Sequence, residues 1–214
     1  MKTNIRKVAV LGSGVMGSAI ACHFANVGCS VLLLDIVPKE AEDTAKKAAR
    51  NKLVNDALKA SLKSKPSPIY SKSFANRIET GNMTDDMNKI AECDWIIEVV
   101  VERLDIKKIV FENVEKFRKP GTLITSNTSG IPIHTMLEGR SDDFKQHFCG
   151  SHFFNPPRYL KLLEIIPTPE TKQSVVDFLM DYGSKILGKT TVLCKDTPAF
   201  IANRVGVYEI QDLF

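Results

Sequence analysis

Two groups of residues in this 214-residue chain have the types and spacing to do chemistry. The first is Gly12-Ser-Gly14-Val-Met-Gly17, followed by Asp35. Three glycines so spaced mean little alone, but here they follow a strand-like run (8–11), open a helix-like run (15–27) and precede an acid that closes a second strand-like run (31–34). In that setting each has a task. Gly12 permits a tight turn, Gly14 lets backbone approach a pyrophosphate, and Gly17 lets helix and strand pack closely, while the free N–H groups at the helix start face phosphate. Asp35 would accept hydrogen bonds from ribose hydroxyls and repel a 2′-phosphate. The pattern therefore points to NAD over NADP, with Lys39 the one nearby cation that speaks the other way.

The second group lies in the later half of the chain. His152 sits in a Phe-flanked apolar run, where a histidine is most often a core residue bonded to a carbonyl. Against that stands Glu164, a carboxylate inside Leu162-Leu-Glu-Ile-Ile166, which otherwise reads as fully buried. If 148–154 and 160–166 form a hairpin turning at 156–159, position 152 falls opposite 164. A buried Glu beside a His fixes the imidazole tautomer and raises its basicity, as a general base requires; a purely structural His–Glu pair is the competing reading. Ser126-Asn-Thr-Ser129 closes another strand-like run. Lys195-Asp-Thr-Pro-Ala-Phe-Ile-Ala-Asn203-Arg opens a helix, with Pro198 expected in its first turn and Asp196 or Thr197 expected to cap it.

These groups must be positioned by alternating elements. Strands are expected at 8–11, 31–34, 95–101, 122–126, 148–154, 160–166 and 190–194, and helices at 15–27, 104–117, 170–187 and 198–214. After Pro38 a Lys- and Ala-rich helix is expected to run to about 62 and stop at Pro66-Ser-Pro68, with Lys46, Lys47, Lys52, Lys59 and Lys63 on its polar face. Alternation of this kind predicts an α/β fold with a doubly wound, mostly parallel sheet. Polar groups at the carboxyl ends of its strands would sit where open sheets bind ligands.

Composition narrows the classes. A net charge of +4, from 29 basic and 25 acidic residues, is too slight for a nucleic-acid surface without interleaved aromatics. The five cysteines, an odd number with no C-x-x-C spacing, suit neither a disulfide framework nor a zinc site, and a reducing compartment, the cytoplasm, is expected. The first 34 residues have a basic head and apolar runs, but the glycines and Asn26 break any secretory core. No apolar run approaches the ~18 residues of a membrane span.

Taken together, Gly12-x-Gly14-x-x-Gly17, Asp35, Glu98-Val-Val-Val-Glu102, Ser126-Asn-Thr-Ser129, His152-Phe-Phe-Asn-Pro156, Glu164 and Lys195-Asp-Thr-Pro-x-Phe-Ile-x-Asn203-Arg resemble the NAD-binding part of the L-3-hydroxyacyl-CoA dehydrogenase family. The resemblance implies a Rossmann-type domain over 1–197 with a protruding helical arm at about 38–65, and 198–214 as the start of a C-terminal helical domain otherwise absent. It implies NAD held by Gly12, Gly14, Val15, Met16, Gly17, Asp35, Glu102, Lys107 and Asn127. His152 would be the acid/base, Glu164 its orienting partner, and Ser129 and Asn203 polar contacts to the substrate oxygen, with Asn155 shaping the site. The implied reaction interconverts (S)-3-hydroxyacyl-CoA and 3-oxoacyl-CoA in fatty-acid β-oxidation, with the arm contacting CoA and a parent that is homodimeric or part of a multifunctional protein. Two alternatives stay open: another β-hydroxyacid dehydrogenase, and a non-catalytic NAD-binding module.

Overall fold

The computed structural model describes residues 4–211. The chain opens with β1 (Lys7–Leu11), α1 (Val15–Asn26) and β2 (Ser30–Asp35). The two strands are buried on both faces and so consist of apolar runs, Val-Ala-Val-Leu and Val-Leu-Leu-Leu. Next come α2 (Lys47–Arg50), α3 (Lys52–Lys63), β3 (Ile78–Asn82), β4 (Trp95–Glu98), α4 (Leu104–Phe117) and β5 (Leu123–Ser126). The remainder is α5 (Asp142–Gln146), β6 (Phe148–Phe153), β7 (Leu162–Pro167), α6 (Gln173–Lys185), β8 (Thr190–Leu193) and α7 (Ala202–Gln211).

The eight strands form one sheet in the order β3-β2-β1-β4-β5-β6-β7-β8. Every neighbouring pair is parallel except β6 and β7. Alternate residues of each central strand feed two cores. Val8 and Val10 pack with Phe24 of α1 and Leu179 of α6 on one face, and Ala9 and Leu11 with Phe111 of α4 and Phe144 of α5 on the other. Each valine, leucine or phenylalanine among these, fully withdrawn from water, contributes roughly 1.5–3 kcal/mol. This doubly wound layering gathers the carboxyl ends of β1, β2, β4, β5 and β6 along one edge.

The antiparallel pair is the hairpin expected from the turn position, and its register places His152 opposite Glu164. Several expectations need correction. The long helix after Pro38 is broken: Lys39–Ala41 forms one short turn, and Asn51, between α2 and α3, leaves the helical conformation while its buried side chain accepts from Asn82 Nδ2 at 2.7 Å. Strand β3 was not expected at all, because Ile-Glu-Thr-Gly-Asn has little strand character and its pairing comes from being an edge. The strand begun at Trp95 ends at Glu98, not at 101.

The last helix starts at Ala202, four residues later than its proline suggested. Ala199 and Phe200 adopt left-handed backbone angles (φ 61° and 48°) that no α-helix admits. Asp196 caps the turn at Ile133–Leu137 instead, accepting from the Ile133 and His134 N–H groups at 2.7 and 2.9 Å. The expected extension to 214 lies partly outside the described residues. Among the described residues no helix is long and apolar enough to cross a membrane.

Candidate active site

The glycine turn is fixed by close approaches. A Cβ on Gly12, whose φ is +105°, would stand 2.5 Å from the Val99 carbonyl oxygen, and one on Gly17 would stand 1.9 Å from the Gly12 oxygen. Gly14 differs: a Cβ there would meet nothing within 4 Å, so its backbone faces open space. Among the described residues no side chain caps α1, whose first residue Val15 is 76% exposed, leaving the helix N-terminus free for an anion. At the end of β2 the Asp35 carboxylate accepts from the Ser13 backbone N–H at 2.7 Å, from the Ser13 hydroxyl, and from the Ile36 N–H at 2.7 Å. A backbone cradle, an uncapped helix start and a pre-oriented acid beyond them fit a dinucleotide with free ribose hydroxyls.

Across the sheet, β4 ends on Glu98, which is wholly buried. Its Oε1 accepts from Lys107 Nζ and from the Val100 N–H, both at 2.7 Å, and its Oε2 from the Ser126 hydroxyl at 2.5 Å. Burial pushes the Glu98 carboxyl above its usual range, against the pull of the Lys107 charge. Lys107 also reaches Glu102 Oε2 at 3.2 Å. The other oxygen of Glu102 gathers Thr128, accepting its hydroxyl, and the Ser129 and Gly130 N–H groups at 2.9 and 3.1 Å. Burial raises this carboxyl too, but the Thr128 hydroxyl and the Lys107 charge outweigh it and hold Glu102 below the usual range.

In the hairpin, His152 Nδ1 lies 2.8 Å from Glu164 Oε2, and both side chains are buried. The imidazole is flanked by the rings of Phe154 and Phe200, at centroid distances of 4.4 and 5.8 Å. Glu164 has a further hold that sequence patterns did not reveal. Its Oε1 accepts from the Ile201 and Ala202 N–H groups at 3.1 and 2.8 Å, so the carboxylate sits at the start of α7. The left-handed Ala199 and Phe200 bend the chain to bring those two N–H groups inward.

A cleft of about 480 Å³ joins the two halves, lined by Gly14, Val15, Met16, Asn127, Ser129, His152 and Asn155. Asn127 accepts from the Phe153 N–H at 2.9 Å, and Asn203 donates to the Ser129 carbonyl at 3.1 Å, tying α7 to the loop after β5. Of the expected site residues, Gly12, Gly17, Asp35, Glu102, Lys107, Glu164 and Asn203 do not line this cleft; Lys107, with 1% of its surface exposed, stands behind Glu102, and Glu164 behind His152. Missed by sequence reasoning were Thr128 and the ion-pair role of Glu98. An acid closing an otherwise apolar strand was the available signal for Glu98.

A second cavity, about 440 Å³, opens between α1, α3 and the turn after β6; Ser13, Ser61, Lys65, Asn155 and Pro156 are among its walls. It is contiguous with the cleft through Gly14, Val15 and Asn155, which line both.

The model of the NAD-binding domain of 3-hydroxyacyl-CoA dehydrogenase matches residues 7–197. A probable 3-hydroxyacyl-CoA dehydrogenase of Bacillus subtilis is 53% identical over 97% of this chain and 27% of its own length. A second, from Deinococcus radiodurans, is 47% identical over 96% of the chain and 58% of itself. This chain therefore spans roughly a quarter of one relative and somewhat over half of the other. The crystal structure of a 3-hydroxybutyryl-CoA dehydrogenase from Escherichia coli superposes with a TM-score of 0.74 at 32% identity, over 95% of this chain and 41% of that one.

Proposed function

The chain belongs to the 3-hydroxyacyl-CoA dehydrogenase family through its NAD-binding domain, and from that premise we propose that it carries the catalytic centre of an enzyme interconverting (S)-3-hydroxyacyl-CoA and 3-oxoacyl-CoA in fatty-acid β-oxidation. The observation that supports this best is the buried His152–Glu164 pair, whose imidazole lines the same cleft as the open face of the Gly14 turn.

NAD, when bound, supplies the hydride acceptor. Everything else falls to the chain. With Nδ1 held against Glu164, His152 has Nε2 left for the substrate hydroxyl and takes its proton as general base. The Glu164 carboxylate, anchored by two backbone N–H groups, stabilises the imidazolium that forms. In the reverse direction the protonated imidazole and the Ser129 hydroxyl would stabilise negative charge growing on the 3-oxo oxygen. Asn203, fastened to the Ser129 carbonyl, brings a second polar side chain to that oxygen, and Asn155 shapes the passage to the second cavity. Gly12, Gly14, Val15, Met16, Gly17 and Asp35 hold the dinucleotide, Asn127 and Glu102 approach its nicotinamide half, and Lys107 sets Glu102.

Domain boundaries follow the same reading: an NAD-binding domain to residue 197, then the opening of a helical domain. The exposed Val205, Val207, Tyr208 and Ile210 of α7 support it, because a helix so placed needs a cover. A cytoplasmic location, and a homodimeric or multifunctional parent, complete the proposal.

Oxidation of NADH on addition of acetoacetyl-CoA, followed by absorbance, tests it. Turnover with NADH and little with NADPH is expected. NADH binding without any turnover, in this chain and in one extended through the next helical domain, would leave a non-catalytic module.

A further inference from the structure

The connection between β6 and β7 is held from two sides by cations that the proposed proton transfer does not use. On the sheet side stands Lys189, at the head of β8 and 6% exposed. Its Nζ donates to the Pro157 carbonyl and, at 2.8 Å, to the Leu160 carbonyl, and it lies 5.9 Å from the Phe153 ring. Among the described residues it has no carboxylate within ion-pair distance. Burial alone draws its ammonium down to about 8.

A titratable side chain that feels its charge is His23 of α1, bonded to the Leu187 carbonyl at 3.0 Å. Its pKa is lowered to about 4 by burial and by the charges of Lys189 and Arg158. An ammonium without a counter-ion is costly to bury unless fixed acceptors satisfy it. Here the acceptors are two carbonyls of one turn.

On the other side stands Arg158, within the turn. Its Nη1 donates to the Ser67 and Ile69 carbonyls at 2.7 and 3.2 Å, and its guanidinium stacks 4.1 Å from the Tyr70 ring and 5.0 Å from that of Tyr159. The Tyr159 hydroxyl donates to the same Ser67 carbonyl at 3.0 Å. Residues 67–70 form the return from α3, also tied to α1 by Asn26, which donates to the Pro68 carbonyl and accepts from the Tyr70 N–H. The turn is thus bolted to the sheet by one cation and to the arm by the other. Between the bolts lies the wall that Asn155 and Pro156 give to the 440 Å³ cavity.

We propose that Lys189 and Arg158 are positioning residues that lock the 156–160 turn as the fixed wall of this cavity, and so set affinity for the acyl-CoA body without touching the proton transfer. The ligand named rests on the functional reading above; the lock itself does not. A wall held in advance spares the ligand the cost of ordering it.

The test compares wild type with Lys189→Met, Arg158→Met and Lys189→Arg in the 214-residue chain, reading hydrogen exchange and the dissociation constants of NADH and acetoacetyl-CoA. In both Met variants the amides of 158–161 and of Ser67, Ile69 and Tyr70 should exchange about tenfold faster while those of β1 and β4 keep their protection. Acetoacetyl-CoA should bind about tenfold more weakly and NADH within about twofold of wild type, with Lys189→Arg recovering most of the loss. Unchanged exchange and affinity in both Met variants would overturn the proposal. So would an equal loss of both ligands, which marks a merely structural role. Should Lys189→Met fail to fold, Arg158→Met, at a half-buried side chain, carries the same test. Failure of the wild-type chain to bind acetoacetyl-CoA would overturn the functional reading and the ligand named here, and exchange then decides the lock.

Discussion

Two buried carboxylates stand at the ligand edge of the sheet, at the end of β4 and in the middle of β7, and they are held in opposite ways. Glu98 faces a fixed cation, Lys107, whose surface is as hidden as its own. Glu164 faces an imidazole, whose ring nitrogens can both donate and accept, and is steadied from behind by two backbone N–H groups. A permanent counter-ion makes a carboxylate into framework. An imidazole partner makes it, on the function proposed, a support for proton transfer. That proposed division, between residues that shape the cleft and those that act in it, can be tested from both ends.

The largest effect is expected on the framework side. Lys107→Met leaves Glu98 buried without its cation, a loss of about 3–5 kcal/mol of folding stability. Urea unfolding should show it, and adding Glu98→Gln should recover part, because the uncompensated charge is then gone. Full stability in Lys107→Met would mean that Glu98 is already neutral, and the contrast with Glu164 would collapse.

On the chemical side His152→Gln should leave stability and NADH affinity nearly untouched while turnover falls by roughly 10²–10⁴-fold. Glu164→Gln keeps an oxygen for the Ile201 and Ala202 N–H groups but removes the charge behind the imidazolium. Its loss should sit near the low end of that range, about 10²-fold. Steady-state rates with acetoacetyl-CoA separate these outcomes, and wild-type rates in both variants would move this pair to the framework class with Glu98.

A third acid sharpens the division. Asp35 is only half buried, and its neighbours are the hydroxyl and N–H of Ser13 and the N–H of Ile36. Among the described residues it has neither cation nor imidazole as a partner, and it is presented outward, as recognition requires. Asp35→Asn should therefore change only selectivity, narrowing the preference for NADH over NADPH by about tenfold. Fluorescence titration with both reduced cofactors checks it; an unaltered ratio would assign the discrimination elsewhere.

How far these assignments could be read from sequence depends on how local their causes are. The glycine turn and its two strands were legible because buried parallel strands are apolar runs and the close approach at Gly17 admits no side chain. The facing of 152 and 164 was legible because a short turn fixes antiparallel register. Strand β3 was not, since one isoleucine in five residues gives no pattern and pairing with β2 supplies the structure. Nor was the break at Asn51, whose cause is a bond to Asn82 far along the chain. At Pro198 local chemistry misled: proline suits a first helical turn, but the demand of Glu164 for two N–H groups postpones the helix to Ala202.

That postponement yields the smallest prediction. The bend that delivers the Ile201 and Ala202 N–H groups runs through two consecutive non-glycine residues in the left-handed region, Ala199 and Phe200. For an L-residue this costs roughly 1–2 kcal/mol, through the crowding of Cβ against the backbone. Phe200 has a reason to stay, being buried against the His152 ring. Ala199 is half-buried and has only a methyl group to lose. Glycine there removes the crowding but gains freedom in the unfolded chain, about 0.5–1 kcal/mol in the opposite sense. Ala199→Gly should therefore stabilise the chain by a net of about 0.5 kcal/mol, with turnover unchanged because both N–H groups still reach Glu164. Paired urea melts and acetoacetyl-CoA rates decide it. A destabilised variant with reduced turnover would show instead that the alanine stiffens the bend, and that the strain at this point is part of how the Glu164 carboxylate is held.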